Sequence, residues 1–391
     1  MPRRSPPLLL LPLLPVGSLG SACAMELPLA ERIDNLRPLG IRVEAQSAFA
    51  PEPTDQATRA EALPTDNIRV IPLFVDDQEP LSSERIEQEL EPVWLACPLQ
   101  PIQGIFSCLT AQLPLTLDEI EDCPPVDFSA LDPTTGELPA VPTPCRLAQG
   151  TPAEPQMQVP LDFNFFLGGD LELTMIGHRP QSGTTERCAQ AVLEEEPLPT
   201  ECLVLVQRAS IGPDAAIVQL AADMGLADED QLGAIPEDDE VPDADRHPRI
   251  ETFRVVVTDE EVTRDDLTRI IDEGGAIDVA RGDTVAAAPG QTLVIETTAP
   301  EDDLQTYFIP ADDGESEERE EFYEGDWYRT WGTLLGNDSD DPRSFNTWTM
   351  EPGEQDDPLA QTPPEDRATL YYVLRDDRQG VDWWWFHVTV Q

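Results

Sequence analysis

The chain has no lysine: all 24 of its basic residues are arginine, against 77 aspartates and glutamates, for a formal net charge of −53 over 391 residues. That lack excludes a GxxxxGK[ST] phosphate loop, which needs the Lys ammonium on the phosphates. Scarce positive charge also removes nucleic acid as a partner, because binding it depends on Lys and Arg displacing counterions. Histidine is nearly as rare. His178, His247 and His387 lie far apart in sequence, with no HExxH spacing for zinc, and there is no GxSxG elbow for acyl transfer. No apolar run reaches the roughly 20 residues that a membrane-spanning helix needs. Repulsion among so many carboxylates opposes compaction, and screening shortens to about 3 Å at 1 M salt, so a salty medium suits this composition. A catalytic pair of carboxylates stays open on composition, and among 77 acids no pair is singled out. A non-catalytic chain is the expectation.

What is present begins at the N-terminus. Arg3 and Arg4, the apolar stretch 8–16 and the small residues of 17–22 follow the order of a secretion signal covering residues 1–22. Cys23 comes next, and the run of small residues ending in cysteine resembles the lipobox of bacterial lipoproteins, with Gly20 where Leu, Val or Ile is usual. The resemblance implies acylation of Cys23, a tether over 23–38 and attachment at the cell envelope, where several acyl chains together anchor stably. Ala24 rather than Asp follows Cys23, which points to the outer membrane, facing periplasm or exterior.

Seven cysteines are an odd number for an exported protein. Setting Cys23 aside leaves Cys97, Cys108, Cys123, Cys145, Cys188 and Cys202, which fall into three neighbouring pairs. Short loops close at small entropic cost, so neighbour pairing is expected. No CxxC motif and no His near a cysteine supports zinc instead.

Alternating or β-rich segments recur along the chain: 36–46, 66–77, 91–97 with Trp94, 157–169, 201–210, 251–259 and 283–299. The stretch 98–155 is proline-rich and reads as an irregular, disulfide-stapled insertion. Short helices are expected at 184–196, where Thr184 or Thr185 can cap, and at 212–225, between Pro213 and Gly225. Residues 226–249 have the acidic, proline-containing composition of a linker. The chain closes with two β-runs joined by the polar turn DDRQG at 376–380.

The segments LRPLGIRVEAQ, VWLAC, APGQTLVIE and LYYVLRDDRQGVDWWWFHVTV resemble bacterial cell-surface lipoproteins built from immunoglobulin-like domains. The resemblance implies a mainly β fold of two immunoglobulin-like β-sandwich domains. The N-terminal one spans 39–225 and carries the insertion 98–155 and the short helices. The aromatic-rich C-terminal one spans 250–391. It further implies a structural or binding module with an unidentified protein or glycan partner.

All five tyrosines and six of the seven tryptophans lie after residue 300. Alternation in the last strand puts Trp384, Phe386, Val388 and Val390 on one face and Trp383, Trp385 and His387 on the other. If the second face met solvent, its rings would form a platform for sugars, with Asp376, Asp377 and Asp382 nearby to accept hydroxyl hydrogen bonds. If it met the first domain, it would be buried. The platform makes carbohydrate binding the alternative function, with a carboxylate-dependent hydrolase ranked below it. No cofactor is expected. Acidic stretches at 311–321 and 336–344 have the oxygen-rich composition that suits Ca2+, but neither has EF-hand spacing, and solvated loops are the plainer expectation. The RGD at 281–283 is too short to carry weight.

Overall fold

The computed structural model describes residues 31–47, 57–99, 116–127, 142–160, 165, 169–194, 196–212, 244–310, 316–353, 356 and 362–391. Cys23, Cys108 and nearly all of the expected helix 212–225 lie outside them. The described chain is mainly β, with five sheets, and no described helix is long and apolar enough to cross a membrane.

The first sandwich uses β1 (Arg37–Gln46), β2 (Asn67–Val75), β3 (Val93–Leu99), β4 (Cys145–Arg146), β5 (Gln156–Gln158), β6 (Gly169–His178) and β7 (Cys202–Ile211). They form a three-stranded sheet, β1-β2-β5, and a four-stranded sheet, β4-β3-β6-β7. In β1, Ile41, Val43 and Ala45 alternate inward, the period-2 pattern of a strand with one face on the core. Their partners on β2 follow the antiparallel register Val43 to Val70. The core between the sheets holds Ile41, Val70, Phe74, Trp94, Leu173 and Leu205. Each such side chain contributes about 1.5–3 kcal/mol on burial.

The central strand β6 is absent from the expected set of strands. Its residues 171–177 are all buried, including Glu172 and Thr174, which alternate with Leu171, Leu173 and Met175. Leu171, Leu173 and Met175 face the core, while Ile176 meets the helix Thr185–Leu193 on the other side. Thr184 caps that helix by accepting the Arg187 N–H, and a disulfide joins Cys188 to Cys202 at the start of β7. A second disulfide joins Cys123 to Cys145. It fastens residues 120–123 of the insertion alongside β4, where Arg146 N–H donates to Glu121 O and Cys123 N–H to Arg146 O, both at 2.8 Å. Cys97 is also disulfide-bonded.

The second sandwich adds β8 (Thr252–Thr258), β9 (Ile277–Asp278), β10 (Thr284–Ala287), β11 (Thr292–Thr298), β12 (Thr306–Pro310), β13 (Ser316–Glu320), β14 (Tyr323–Arg329), β15 (Thr333–Leu334), β16 (Asp338–Ser339), β17 (Arg343–Thr349), β18 (Arg367–Asp376) and β19 (Val381–Val390). Its sheets run β10-β19-β18-β14-β16 and β15-β17-β11-β8-β9, and β12 pairs with β13 in a separate hairpin. Most pairings are antiparallel, but β10 joins β19 in parallel. The late aromatics explain themselves here. Phe253 stacks on Trp384 at 6.0 Å and meets Trp327 edge-on at 5.9 Å. Trp348 meets Phe386 edge-on at 6.0 Å. These rings make up much of the core.

The two sandwiches pack against each other. Leu73 and Val75 of β2 break that strand's alternation because its outer face is covered by Tyr371, Val373 and Val381 of β18 and β19. Two segments expected to be loose are built in as well. Ile33, at the end of the tether, is buried and donates its N–H to Arg329 O at 2.9 Å. Asp245 and His247, at the end of the acidic linker, are each only 1% exposed. Ala60 N–H donates to Asp245 O at 2.9 Å, so this piece pairs with the first sandwich instead of being solvated.

Candidate functional site: the crevice between the sandwiches

The β18–β19 turn reaches across the junction. Its conformation is set by Asp376, whose Oδ1 accepts the Arg378 N–H at 3.0 Å and the Gly380 N–H at 2.7 Å, a short polar side chain bonding its own turn. This presentation sends the Arg378 guanidinium towards the first sandwich. There Nη2 pairs with Glu61, while Nη1 donates to Glu321 Oε1 at 2.8 Å and to Gln305 Oε1 at 3.2 Å. Glu61 is held in turn by the Asp245 N–H, donated to its Oε2 at 2.9 Å. The guanidinium lies 5.3 Å from the centre of the Tyr307 ring. Arg378 therefore clamps Glu61 of one sandwich to Glu321 of the other.

Three acidic side chains, Glu61, Asp245 and Glu321, are buried around this cation, and Asp376 is buried beside Asp245 and Glu321. Burial pushes the Asp245 carboxyl well above the carboxylate range, and the charge of Asp376 adds to it. Burial raises Asp376 too, against the N–H bonds it accepts and with help from Glu321. Glu321 is raised by burial although Gln305 N–H and Arg378 oppose it. Desolvation disfavours the charged form of each acid, and Asp245 Oδ2 has no hydrogen-bond partner among the described residues. The cluster thus holds more protons at neutral pH than exposed carboxylates would.

His247 bolts the same junction. The Val381 N–H donates to its Nδ1 at 3.0 Å, so Nε2 carries the proton and donates to Val43 O at 3.0 Å. Burial, followed by the charge of Arg42, drives its pKa well below the ordinary histidine value. The ring is neutral and links β1 directly to β19. Beside it Asp382 accepts from Arg281 at 2.8 Å, from Arg42 at 3.3 Å and from the Ile250 N–H at 3.0 Å. Arg281, the first residue of the RGD triplet, is committed to that pair.

Trp383 and Trp385 do share a face, but the face turns towards the first sandwich. Both are half-buried against the interface cluster of Ile33, Leu39, Leu73 and Val75. His387 is fully engaged. Thr369 Oγ1 donates to Gln78 O, so His387 Nδ1–H donates to Thr369 Oγ1 at 2.9 Å and Nε2 accepts from Arg367 at 2.6 Å. Burial, then the Arg367 charge, lowers its pKa to about 4. The structure therefore joins these three residues to the domain junction. Of the stretches with calcium-like composition, 311–315 lies outside the described residues, 316–320 forms β13 and 338–339 forms β16. Among the described residues no group of three or more His, Cys, Asp or Glu side chains is placed to hold a metal.

Next to the clamp opens a crevice of about 610 Å³. Leu39 and Ile41 of β1, Leu205 of β7 and Val381 of β19 form apolar walls, and Glu324, Asp376 and Asp377 supply negative charge. Arg375, also on the wall, is spent on Asp326 and on Leu39 O. Gln207 donates to Gln379 Oε1 at 3.0 Å, spanning the two sandwiches, and the Phe322 ring at the mouth is 48% exposed. Sequence reading names Asp376 and Asp377 only as hydroxyl acceptors beside a tryptophan platform, and none of the other crevice residues as a site. The signals were slight: a DDRQG turn that looked like a plain hairpin loop, and a histidine between two arginines in an acidic stretch.

No protein-family model matches the chain, and neither does any curated protein. Among solved structures it is similar to dimeric latent PorU from Porphyromonas gingivalis at 12% identity, over 90% of this chain and 24% of that one, with a TM-score of 0.17. The chain spans about a quarter of that protein's length. A superposition this poor carries no argument about fold or function.

Proposed function

We propose that the chain is a non-catalytic module of the bacterial cell envelope, in which two immunoglobulin-like sandwiches are locked into one scaffold. It is tethered through acylated Cys23, most simply at the outer membrane, and presents the inter-sandwich crevice as its binding surface. The observation that supports this reading is the junction itself. An apolar patch, an arginine clamp and a buried histidine bolt together fix one sandwich on the other, which is the economy of a scaffold or display element. The glycan-platform reading has less support, because the Trp383 and Trp385 rings pack into that junction.

One observation speaks for a hydrolase: Asp376 lines the crevice with a raised pKa, the property of a general acid. Its raised neighbour Asp245 is 1% exposed, which leaves it no access to a water nucleophile, and Asp376 already serves its own turn. If Asp376 were catalytic, a screen of chromogenic glycosides and esters would yield an activity that Asp376→Asn abolishes.

Intact mass tests the scaffold reading, using protein expressed with its native signal in a Gram-negative host. Acylation at Cys23 and partition with the membrane fraction are expected, with Cys23→Ser moving the protein to the soluble fraction. An unmodified, soluble wild type would overturn the anchor. Limited proteolysis completes the test, since a rigid scaffold resists cleavage at residues 244–250. Ready release of separate sandwiches would overturn it.

A further inference from the structure

Among the described residues the first sandwich has an open seam. β1 is an edge strand of one sheet and β7 an edge strand of the other, and unpaired edges are ready templates for another chain. At one end of the seam the protein supplies that chain itself. Arg59 O accepts the Ala45 N–H of β1, Ala62 N–H donates to Ser210 O of β7, and Gly212 N–H donates to Ala62 O, each at 2.9 Å. The extended segment 59–62 thus bridges both edges and then leaves. Towards the other end, residues 38–41 of β1 and 205–207 of β7 line the crevice, and among the described residues no backbone pairs with the outer edge of β7 there.

Charge specifies what could continue the pattern. Asp377 stands at the crevice with Oδ2 accepting the Tyr307 hydroxyl at 2.6 Å and Oδ1 accepting the Phe322 N–H at 3.4 Å, so the carboxylate is fixed beside the exposed Phe322 ring. Glu324 adds an exposed acid to this half-buried one. Arg375, the one arginine on the wall, is already neutralised by Asp326. An exposed ring next to a held carboxylate is a cradle for an ammonium or guanidinium, and the whole chain carries −53.

We propose that the crevice takes an extended, basic polypeptide segment, which pairs by backbone with the edge of β7 and lays a Lys or Arg side chain between Asp377 and the Phe322 ring. This is strand addition, in which main-chain bonds give affinity and side-chain pockets give specificity. It rests on reading the chain as a binding module, and names the partner of that module.

The test uses the purified chain and a fluorescein-labelled peptide, Val-Lys-Val-Lys-Val-Lys-Val, followed by anisotropy at about 0.15 M NaCl, where exposed charges are screened beyond about 8 Å. Saturable binding is expected. The glutamate counterpart should not bind, and N-methylation of alternate backbone nitrogens should weaken binding about tenfold or more, since it removes the ladder bonds. Phe322→Ala and Asp377→Asn, both at accessible positions, should each weaken it about fivefold or more. Ile277→Ala, at an exposed residue of β9, should leave it unchanged. No binding of the lysine peptide, or binding that ignores N-methylation and both crevice variants, overturns the proposal; the second result would reflect only the bulk negative charge. Either failure leaves the anchor and scaffold reading standing, because mass and proteolysis test that independently.

Discussion

Arg378→Met isolates the clamp. The substitution keeps most of the side-chain volume and removes the cation that faces Glu61, Asp245 and Glu321. Breaking a buried ion pair by deleting one partner costs about 3–5 kcal/mol, because the remaining charge is stranded. The cost must depend on pH. Asp245, Asp376 and Glu321 have raised pKa values in the folded chain. The folded state therefore binds more protons than the unfolded state above the ordinary carboxylate range near 4. Stability is then fully present below that range and is lost as pH rises through the raised values, at about 1.4 kcal/mol per pH unit for each extra proton held. His247 works oppositely, but only below its unfolded value near 6.5, so above that pH the acids act alone. Urea unfolding monitored by tryptophan fluorescence between pH 6.5 and 8.5, in about 0.5 M NaCl to screen surface repulsion, should show the wild type losing stability as pH rises. Arg378→Met should lose about 3–5 kcal/mol at the alkaline end and clearly less at the acid end, where the acids retain protons. Adding Asp245→Asn should restore part of the loss. An equal cost across the range, or a cost below about 1 kcal/mol at pH 8.5, would refute the reasoning.

His247→Ala should cost about 3 kcal/mol from two lost hydrogen bonds and the space left behind. Titration from pH 6.5 to 5 should show that the variant lacks the acid-side loss contributed by His247 in the wild type, where only the unfolded state gains that proton. Replacing Cys188 and Cys202 with alanine opens a loop of sequence separation 14, and the chain-entropy relation sets the loss near 3 kcal/mol, measurable by urea midpoint. Gly325→Ala should destabilise the second sandwich by about 1–3 kcal/mol, because the new methyl would meet the Tyr372 hydroxyl and Ser339 Oγ; a thermal scan checks it.

How much was legible follows physical lines. Strands with one wet face, such as β1 and the early part of β2, announce themselves by alternation. β6 alternates too over 171–175, but alternation alone could not say that the face of Glu172 and Thr174 is also covered. Capping identified the helix Thr185–Leu193 through Thr184. The two faces of β19 were separable by counting, but the count could not say that the Trp383 face meets another sandwich. The clamp escaped for a different reason. Glu61, Asp245, Glu321 and Arg378 lie in four separate segments, and in a chain so rich in carboxylates only three-dimensional closure distinguishes buried acids from solvated ones.

The placement of β19 has a kinetic consequence. It follows every other described strand in the chain, yet it sits inside its sheet, between β10 and β18. One face, with Phe386, Val388 and Val390, completes the second core, and the other, with Val381, completes the junction. As the chain is made or threaded from its N-terminus, β10 and β18 wait with a gap between them, and β2 keeps part of its apolar surface wet, until β19 arrives. The first sandwich can form early, whereas the second closes and docks in one late event. The unfinished protein is therefore most vulnerable to proteolysis and aggregation just before β19 emerges.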